Sequence, residues 1–203
     1  MRFTMFTADK NMFDRAVQLY RDWNEKINVV SRKDIDMLYE HHILHSLAIA
    51  AYMDRCGLDP AGKSVLDVGT GGGFPGIPLS MVWPDSRFTL CDSIGKKILV
   101  ASEVASALGL GNVRCVNARA ESLGEKYDIV VTRAVTTLDK FYPWVKNSFR
   151  ERILALKGGD VLDEVAVFCA RCKVDPSKVR VWRISDWLED EYFAEKFVIE
   201  IRK

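Results

Sequence analysis

The stretch that decides the fold is residues 64–84, SVLDVGTGGGFPGIPLSMVWP, where a short apolar run leads into a glycine-rich segment. The apolar run over 64–68 predicts a buried strand. Four glycines within 69–73 remove side chains where another group must approach the backbone, and the apolar residues that follow predict a helix over 76–82. A strand, a glycine loop and a helix in this order are typical of the entry turn of a doubly wound nucleotide-binding fold.

After this turn, the sequence keeps alternating between strand-like and helix-like segments. The predicted strands lie at about 64–68, 87–92, 112–117, 127–132 and 152–156. The predicted helices that follow them lie at about 76–82, 95–108, 137–148 and 161–172. This alternation predicts parallel strands that are joined by right-handed crossovers.

The end of the chain breaks this rhythm. Two strand-like segments, KVRVWRI at 178–184 and KFVIEI at 196–201, are separated by the acidic stretch SDWLEDEYFAE. That gap is too short and too acidic for a crossover helix, so we predict that the last strand runs antiparallel. Seven strands with a final hairpin look like the class I, Rossmann-like α/β fold of S-adenosylmethionine-dependent methyltransferases. A dinucleotide dehydrogenase more often continues all-parallel.

Two helices are predicted before the first strand. Residues 9–26 carry apolar side chains at helical spacing. Asp34 or Asp36 is suited to cap a second helix, which would run to about Cys56 and stop at the glycine after it. The first part of the chain is therefore predicted to be helical and to precede the sheet.

Length and composition limit the classes of protein to which the chain can belong. The 203 residues suit one domain with an appendage, which we divide into an N-terminal helical extension, 1–60, and a Rossmann-like methyltransferase domain, 61–203. No apolar run reaches the roughly 18 residues that span a bilayer, and the first residues show no signal-peptide pattern. Five cysteines, an odd number, fit a reducing compartment, so we expect a cytoplasmic protein without a membrane partner. With a net charge of +1, any RNA contact must come from a local basic patch.

The glycine loop matches two nucleotide-binding patterns. Residues 71–76 satisfy G-x-G-x-x-G, which a glycine-dense run satisfies easily by chance, whereas 67–73 satisfy D-x-G-x-G-x-G. An acid at the strand end suits the ammonium of an amino-acid tail and would repel a pyrophosphate, so we predict that Asp67, Gly69 and Gly71 bind S-adenosylmethionine. The alternatives are an NAD(P)-dependent oxidoreductase and a tight glycine turn in which Asp67 is only a cap.

Two further segments point to the nucleoside part of a cofactor. The second strand ends in Asp92, whose carboxylate is able to accept hydrogen bonds from both ribose hydroxyls. This reasoning applies equally to NAD and to S-adenosylmethionine. The alternative role of Asp92 is to cap the helix that follows. The loop after the third strand lies beside the adenine in this fold, where the backbone of Ala120 and Glu121 is placed to read the edge of the base.

Several segments together resemble one family. LDVGTGGGFPGIPL, LCDSIGKK, NARAE, VVTRAVTTL and ALKGG, in this order and spacing, look like the RsmG family, also called GidB or glucose-inhibited division protein B. The N-terminal segments NVVSRKD and EHHILHSL share the resemblance, which covers roughly residues 20–165. That family transfers a methyl group from S-adenosylmethionine to N7 of a guanosine in bacterial 16S ribosomal RNA (rRNA). The resemblance implies 16S rRNA or the small ribosomal subunit as partner, with no obligate protein partner apparent.

The resemblance also implies roles for particular residues. It implies cofactor contacts at Gly69, Phe74, Arg133 and the Ala120–Glu121 backbone. It implies positions near the methyl-transfer site for three basic residues: Arg119, Arg133 and Lys157. A non-catalytic module that binds S-adenosylmethionine is the remaining alternative.

The chain departs from the pattern of the family at two positions, and its histidines form a cluster. The family usually has Asp where this chain has His45, and an Arg near the place of Lys196. All three histidines of the chain fall within residues 41–45. Neither this cluster nor the lone C-x-x-C at 169–172 has the further ligands of a metal site, so we assign no metal and interpret the histidines as structural or RNA-facing.

The chemistry of guanine N7 needs no general base, because this nitrogen already carries an in-plane lone pair. Catalysis then rests on alignment of the reactants and on removing water. Arginine usually reads guanine through O6 and N7 together, but here N7 must stay free. We therefore assign the three basic residues to O6, to a phosphate or to the carboxylate of the cofactor.

Overall fold

The computed structural model of the protein describes residues 10–203, so residue 9 of the predicted N-terminal helix lies outside the described residues. Within residues 10–203, the centre is one seven-stranded sheet, formed by β1 Ser64–Val68, β2 Arg87–Asp92, β3 Val113–Asn117, β4 Tyr127–Arg133, β5 Phe149–Gly158, β6 Val179–Arg183 and β7 Lys196–Arg202. The strand order is β3-β2-β1-β4-β5-β7-β6. Strands β1 to β5 pair in parallel, whereas β7 is antiparallel to both β5 and β6. The prediction of an antiparallel last strand is confirmed.

The helices pack on both faces of this sheet. Within residues 10–203 the α-helices are α1 Lys10–Asn24, α2 His45–Arg55, α3 Gly76–Val82, α4 Gly95–Ala107, α5 Leu138–Val145 and α6 Val161–Cys172. Buried side chains of α1 to α4 share one core cluster with alternate strand residues, and those of α5 and α6 share the other. Because α1 and α2 belong to the first cluster, the N-terminal extension packs on the sheet itself.

The second helix begins later than predicted. Ile35–Met37 form a turn of 3-10 helix and Tyr39–Leu44 a turn of π-helix before α2 starts at His45. The Asp34 carboxylate makes no hydrogen bond to the backbone amides of a helix start. It contacts the rings of two histidines further along the chain instead. The prediction of one regular helix capped at Asp34 or Asp36 is therefore wrong, because side-chain contacts replace the cap.

A buried polar contact also ties the extension to the sheet. Glu200 of β7 is 1% exposed, and its Oε2 accepts a hydrogen bond of 2.9 Å from the hydroxyl of Tyr52 in α2. Its other carboxylate oxygen pairs with the guanidinium of Arg152 in β5. Since an unpaired buried carboxylate is costly, this contact fixes α2 against strands β5 and β7.

The strand order reverses between β1 and β4, which lie side by side although β2 and β3 separate them in the sequence. In doubly wound folds, ligands bind outside the carboxyl ends of the strands at such a switch point. The glycine loop after β1 and the segments after β2, β4 and β5 meet at this edge of the sheet.

Candidate active site

The glycine loop is held from inside the protein by Asp67. Its Oδ2 accepts hydrogen bonds from the Thr70 hydroxyl at 2.6 Å and from the Gly76 amide at 2.7 Å. The residue is fully buried, and its Oδ1 has no hydrogen-bond partner among the described residues. Burial raises the pKa of Asp67 to about 7, against the opposing effect of these hydrogen bonds. Asp67 therefore shapes the loop from below.

A first cavity, of about 310 Å³, opens at the carboxyl ends of β1 and β2. It brings together several residues that the sequence predicted for the cofactor or the reaction: Gly69, Asp92, Arg119, Ala120 and Glu121. The apolar side chains of Ile94 and Trp144 complete the wall. The cavity thus combines acceptor groups with flat apolar surface, as a nucleoside requires.

The first cavity fits the nucleoside part of S-adenosylmethionine. The two carboxylate oxygens of Asp92 accept hydrogen bonds of 2.9 Å from the amides of Gly71 and Ile94, which fixes the carboxylate at the wall. Each oxygen keeps further acceptor capacity for a ribose hydroxyl. Gly71 has a φ of +58°, and a Cβ built there would meet nothing within 4 Å, so the loop leaves open space at this point.

A second cavity, of about 620 Å³, lies at the carboxyl ends of β4 and β5. Basic and aromatic side chains line much of it: His41, His42, His45, Arg133, Lys157, Tyr192 and Lys196. Ala134 and Val135 line both cavities. The two cavities are therefore neighbours that share this segment as a wall.

The shared wall is set by the backbone conformation of Ala134 and by a close approach of Gly69 to the Val135 side chain. Ala134 adopts a positive φ of 53°, which turns the chain sharply after β4. Gly69 has a φ of +68°, and a Cβ added there would lie 2.4 Å from Cγ2 of Val135. Only glycine allows the loop and the wall to approach this closely.

Lys157 braces the same segment from the second cavity. Its ammonium pairs with Glu164 at 2.7 Å and donates a hydrogen bond to the carbonyl of Thr136. Glu164 in turn accepts a hydrogen bond of 2.7 Å from the amide of Leu138. The structure therefore places Lys157 in the cavity wall and engages it in holding the segment after β4.

Arg133 ends β4 and reaches under the N-terminal extension. Its guanidinium lies over the ring of Phe74, with Cζ 5.0 Å from the ring centroid. One Nη donates a hydrogen bond of 3.2 Å to the carbonyl of His41, and the other lies 2.8 Å from Nδ1 of His42. Burial lowers the pKa of Arg133, but a guanidinium stays charged in proteins.

Three residues that were predicted to contact the cofactor line neither cavity: Asp67, Gly71 and Phe74. Asp67 is enclosed beneath the loop, and Phe74 is 3% exposed and packs on Tyr20 with ring centroids 4.6 Å apart. The contacts of all three with the cofactor stay predictions, and the observed packing gives Asp67 and Phe74 other tasks, since Asp67 supports the loop and Phe74 supports Arg133.

Sequence reasoning missed one side of the second cavity. The histidines of the extension meet Tyr192 and Lys196 of the C-terminal segment there. Burial, followed by the charges of Arg133 and Lys196, lowers the pKa of His45 far below its ordinary value. The signal was the clustering of all three histidines within residues 41–45, but nothing local indicated which strand they face.

The described residues contain neither a metal-binding cluster nor a membrane-spanning helix. Within residues 10–203, no group of three or more His, Cys, Asp or Glu side chains is arranged to hold a metal ion. The cysteines, Cys169 and Cys172 included, are not in disulfides. In the same part of the chain, no helix is both long and apolar enough to cross a bilayer.

Solved structures place this architecture in a class. Magnesium protoporphyrin IX methyltransferase (ChlM) from Synechocystis, solved with bound S-adenosylmethionine, has a TM-score of 0.59 at 16% identity, over 98% of this chain and 93% of its own. TYW2 of M. jannaschii, in complex with AdoMet, has a TM-score of 0.53 at 15% identity, over 76% and 75%. Likeness at such identities shows the fold, which is the predicted class I fold of S-adenosylmethionine-dependent methyltransferases.

Sequence comparison narrows this class to a family. The model of GidB, rRNA small subunit methyltransferase G, matches residues 9–186. Ribosomal RNA small subunit methyltransferase G of Christiangramia forsetii is 46% identical over 206 residues, covering 97% of this chain and 92% of the relative. The protein of the same name from Porphyromonas gingivalis is 45% identical over 199 residues, covering 94% and 85%. The chain belongs to the rRNA small subunit methyltransferase G family, which confirms the predicted resemblance.

Proposed function

We propose that this chain transfers a methyl group from S-adenosylmethionine to N7 of a guanosine in bacterial 16S rRNA. The observation that carries the proposal is the pair of cavities that share residues 134–135, in a member of the rRNA small subunit methyltransferase G family. The first cavity has the acceptors for a nucleoside, and the second is larger and basic, as a nucleotide of RNA requires.

The first cavity holds the cofactor, which supplies the activated methyl group when bound. Asp92 accepts hydrogen bonds from the ribose, and the backbone of Ala120 and Glu121 lies along the edge of the adenine. The open space at Gly71, in the loop that starts at Gly69, receives the amino-acid tail. These assignments are supported by the wall residues of the first cavity and by the open space at Gly71.

The second cavity positions the acceptor base. Arg133 and Lys196 are directed to O6 or to a phosphate, and Arg119 at the rim of the first cavity is directed to the RNA backbone or to the cofactor carboxylate. Because N7 has its own lone pair, no side chain has to remove a proton from it. The methylated base gains positive charge, and the Glu164 carboxylate, held by Lys157, is an acidic group in this wall that favours such a charge.

The substrate is 16S rRNA, free or within the small ribosomal subunit, and no other protein is obligatory. The protein works in the cytoplasm. The extension, 1–60, and the methyltransferase domain, 61–203, build the second cavity together.

The test is methyl transfer from labelled S-adenosylmethionine to small subunits, and to naked 16S rRNA, from a strain that lacks the modification. Digestion of the RNA and mass spectrometry identify the modified base, and we expect 7-methylguanosine at one site. Arg133→Ala should abolish labelling, whereas the matched variant Arg180→Ala, at an exposed position of β6, should retain it. Cofactor binding without any labelling of RNA would leave a non-catalytic binding module. Binding of NADH in place of S-adenosylmethionine would favour the oxidoreductase.

A further inference from the structure

We propose that Asp34 and His42 form a positioning relay that sets the orientation of Arg133 in the second cavity. The inference rests on the proposed function, because Arg133 is the group that this cavity directs toward the nucleotide. Both relay residues belong to the N-terminal extension, whereas Arg133 ends a central strand.

The geometry fixes the direction of every hydrogen bond in the relay. Nε2 of His42 lies 2.6 Å from Oδ2 of Asp34, and Nδ1 lies 2.8 Å from Nη2 of Arg133. A guanidinium is a donor only, so Nδ1 of His42 must accept. The neutral ring then carries its proton on Nε2 and donates it to Asp34. Arg133 therefore donates to His42, and His42 donates to Asp34.

The far end of the relay is held as well. The other oxygen of Asp34 accepts a hydrogen bond from Nδ1 of His41. The His41 ring stacks on Tyr192 with centroids 3.7 Å apart, and the Tyr192 hydroxyl donates to the His41 carbonyl at 3.2 Å. Both histidines come from the π-helical turn, a form that recurs at functional sites. Asp34 is thus oriented by contacts that reach the C-terminal segment.

The charge states agree with this arrangement. Burial, followed by the charge of Arg133, lowers the pKa of His42 to about 4, against the opposing hydrogen bond to Asp34. Burial would raise the pKa of Asp34, but the hydrogen bonds from His41 and His42 outweigh it and lower this pKa. At neutral pH, an uncharged imidazole therefore lies between a carboxylate and a guanidinium.

The relay matters because of what it leaves available on Arg133. The contacts with His42 and the His41 carbonyl use two N–H donors, and the Phe74 ring supports the guanidinium plane. A guanidinium has five donors in a fixed fork, so the others keep a defined direction toward the cavity. Without the relay, the guanidinium plane of Arg133 is free to rotate about the bonds of its side chain. The alignment of the reactants that methyl transfer needs is then lost.

Three substitutions of His42 separate positioning from structural support. The amide oxygen of His42→Asn takes the place of Nδ1 and keeps the bond to Arg133. The amide nitrogen of His42→Gln takes the place of Nε2 and keeps only the bond to Asp34, and His42→Leu keeps neither. We expect kcat/KM for rRNA methylation to fall about ten- to hundredfold in the Gln and Leu variants, the value of one charge-assisted hydrogen bond, and only a fewfold in the Asn variant. A merely structural role would rank the variants by melting temperature, with no advantage for Asn over Gln.

A second measurement does not depend on catalysis. Nitrogen NMR of the Arg133 guanidinium, assigned with Arg133→Lys, should show separate and slowly exchanging Nη signals in the wild type and in His42→Asn. These signals should merge in His42→Gln and His42→Leu. If the signals follow this pattern but no RNA is methylated, the relay stands and the proposed function falls. If methylation occurs but neither kinetics nor NMR separates Asn from Gln, the relay is overturned.

Discussion

The buried carboxyl of Asp67 leads to a pH dependence of stability that a single substitution should remove. Burial raises its pKa to about 7, whereas an unfolded chain gives a value of about 3.9. Between these two values, the folded state holds a proton that the unfolded state has released, so stability falls as pH rises. A shift of about three units corresponds to about 4 kcal/mol of unfolding free energy, lost between about pH 4 and pH 7.

The variant Asp67→Asn keeps an oxygen that accepts hydrogen bonds from Thr70 and Gly76 but does not titrate. We expect the unfolding free energy of the wild type, minus that of the variant, to fall by about 4 kcal/mol over this range. Urea unfolding at a series of pH values measures both. The difference is the informative quantity, because other groups titrate too: the pKa of His42, lowered by burial to about 4, makes stability rise with pH up to about 6.5.

Asp128 supplies a control of opposite sign. Burial would raise its pKa, but hydrogen bonds of 2.8 Å and 2.7 Å from the amide and hydroxyl of Ser64 contribute to lowering it. Its contribution to stability is present above the unfolded pKa and is lost as pH falls through the folded value, so Asp128→Asn should remove an effect at the acidic end. If the Asp67 difference stays flat between pH 4 and pH 7 while the Asp128 control behaves as expected, the reasoning about the enclosed carboxyl is refuted.

Further variants test three other sets of contacts. Gly69→Ala brings a methyl group 2.4 Å from Val135 at a φ of +68°; we expect calorimetry to show weaker S-adenosylmethionine binding, which added Val135→Ala restores in part. Glu200→Ala removes the buried carboxylate that pairs with Arg152 and accepts the Tyr52 hydrogen bond, and it should lower the unfolding free energy in urea by about 3 kcal/mol, the lower end for a buried pair, because Arg152 keeps Glu151 at 3.9 Å. Tyr52→Phe should cost about 1 kcal/mol. Lys157→Met releases the segment after β4, so steady-state kinetics should show a lower kcat with little change in KM for RNA; an unchanged kcat would contradict its bracing role.

The local sequence pattern predicted the strands of the sheet, but it did not predict where the second helix begins. Strands such as Ser64–Val68 and Arg87–Asp92 are buried on both faces, so their apolar runs and the turns after them give a strong local signal. The start of the second helix depended on Asp34, which looked like a cap. Its carboxylate instead bonds to histidines seven and eight residues later, and this choice is set by the tertiary position of those rings.

The candidate site likewise contains residues that a local motif predicts and residues that only the complete fold brings into place. Gly69 and Asp92 carry local signals, because a positive φ and an acid at a strand end are both readable from a motif. The direction of the Phe74 ring depends on Tyr20, fifty-four positions earlier, and no motif records it. The contact between Tyr192 and His41 spans 151 positions, so the second cavity is a product of the complete fold.

The position of β7 has a consequence for how the protein is made. Among the described strands, β6 has one neighbour in the sheet, and that neighbour is β7. The same strand gives β5 its second neighbour. Residues 196–202 are translated after the other described strands, so the growing chain carries an unpaired β6 and an open edge on β5 until they emerge. Closure of the sheet therefore waits for these residues to leave the ribosome, and a chaperone that shields strand edges has its longest opportunity at β5 and β6.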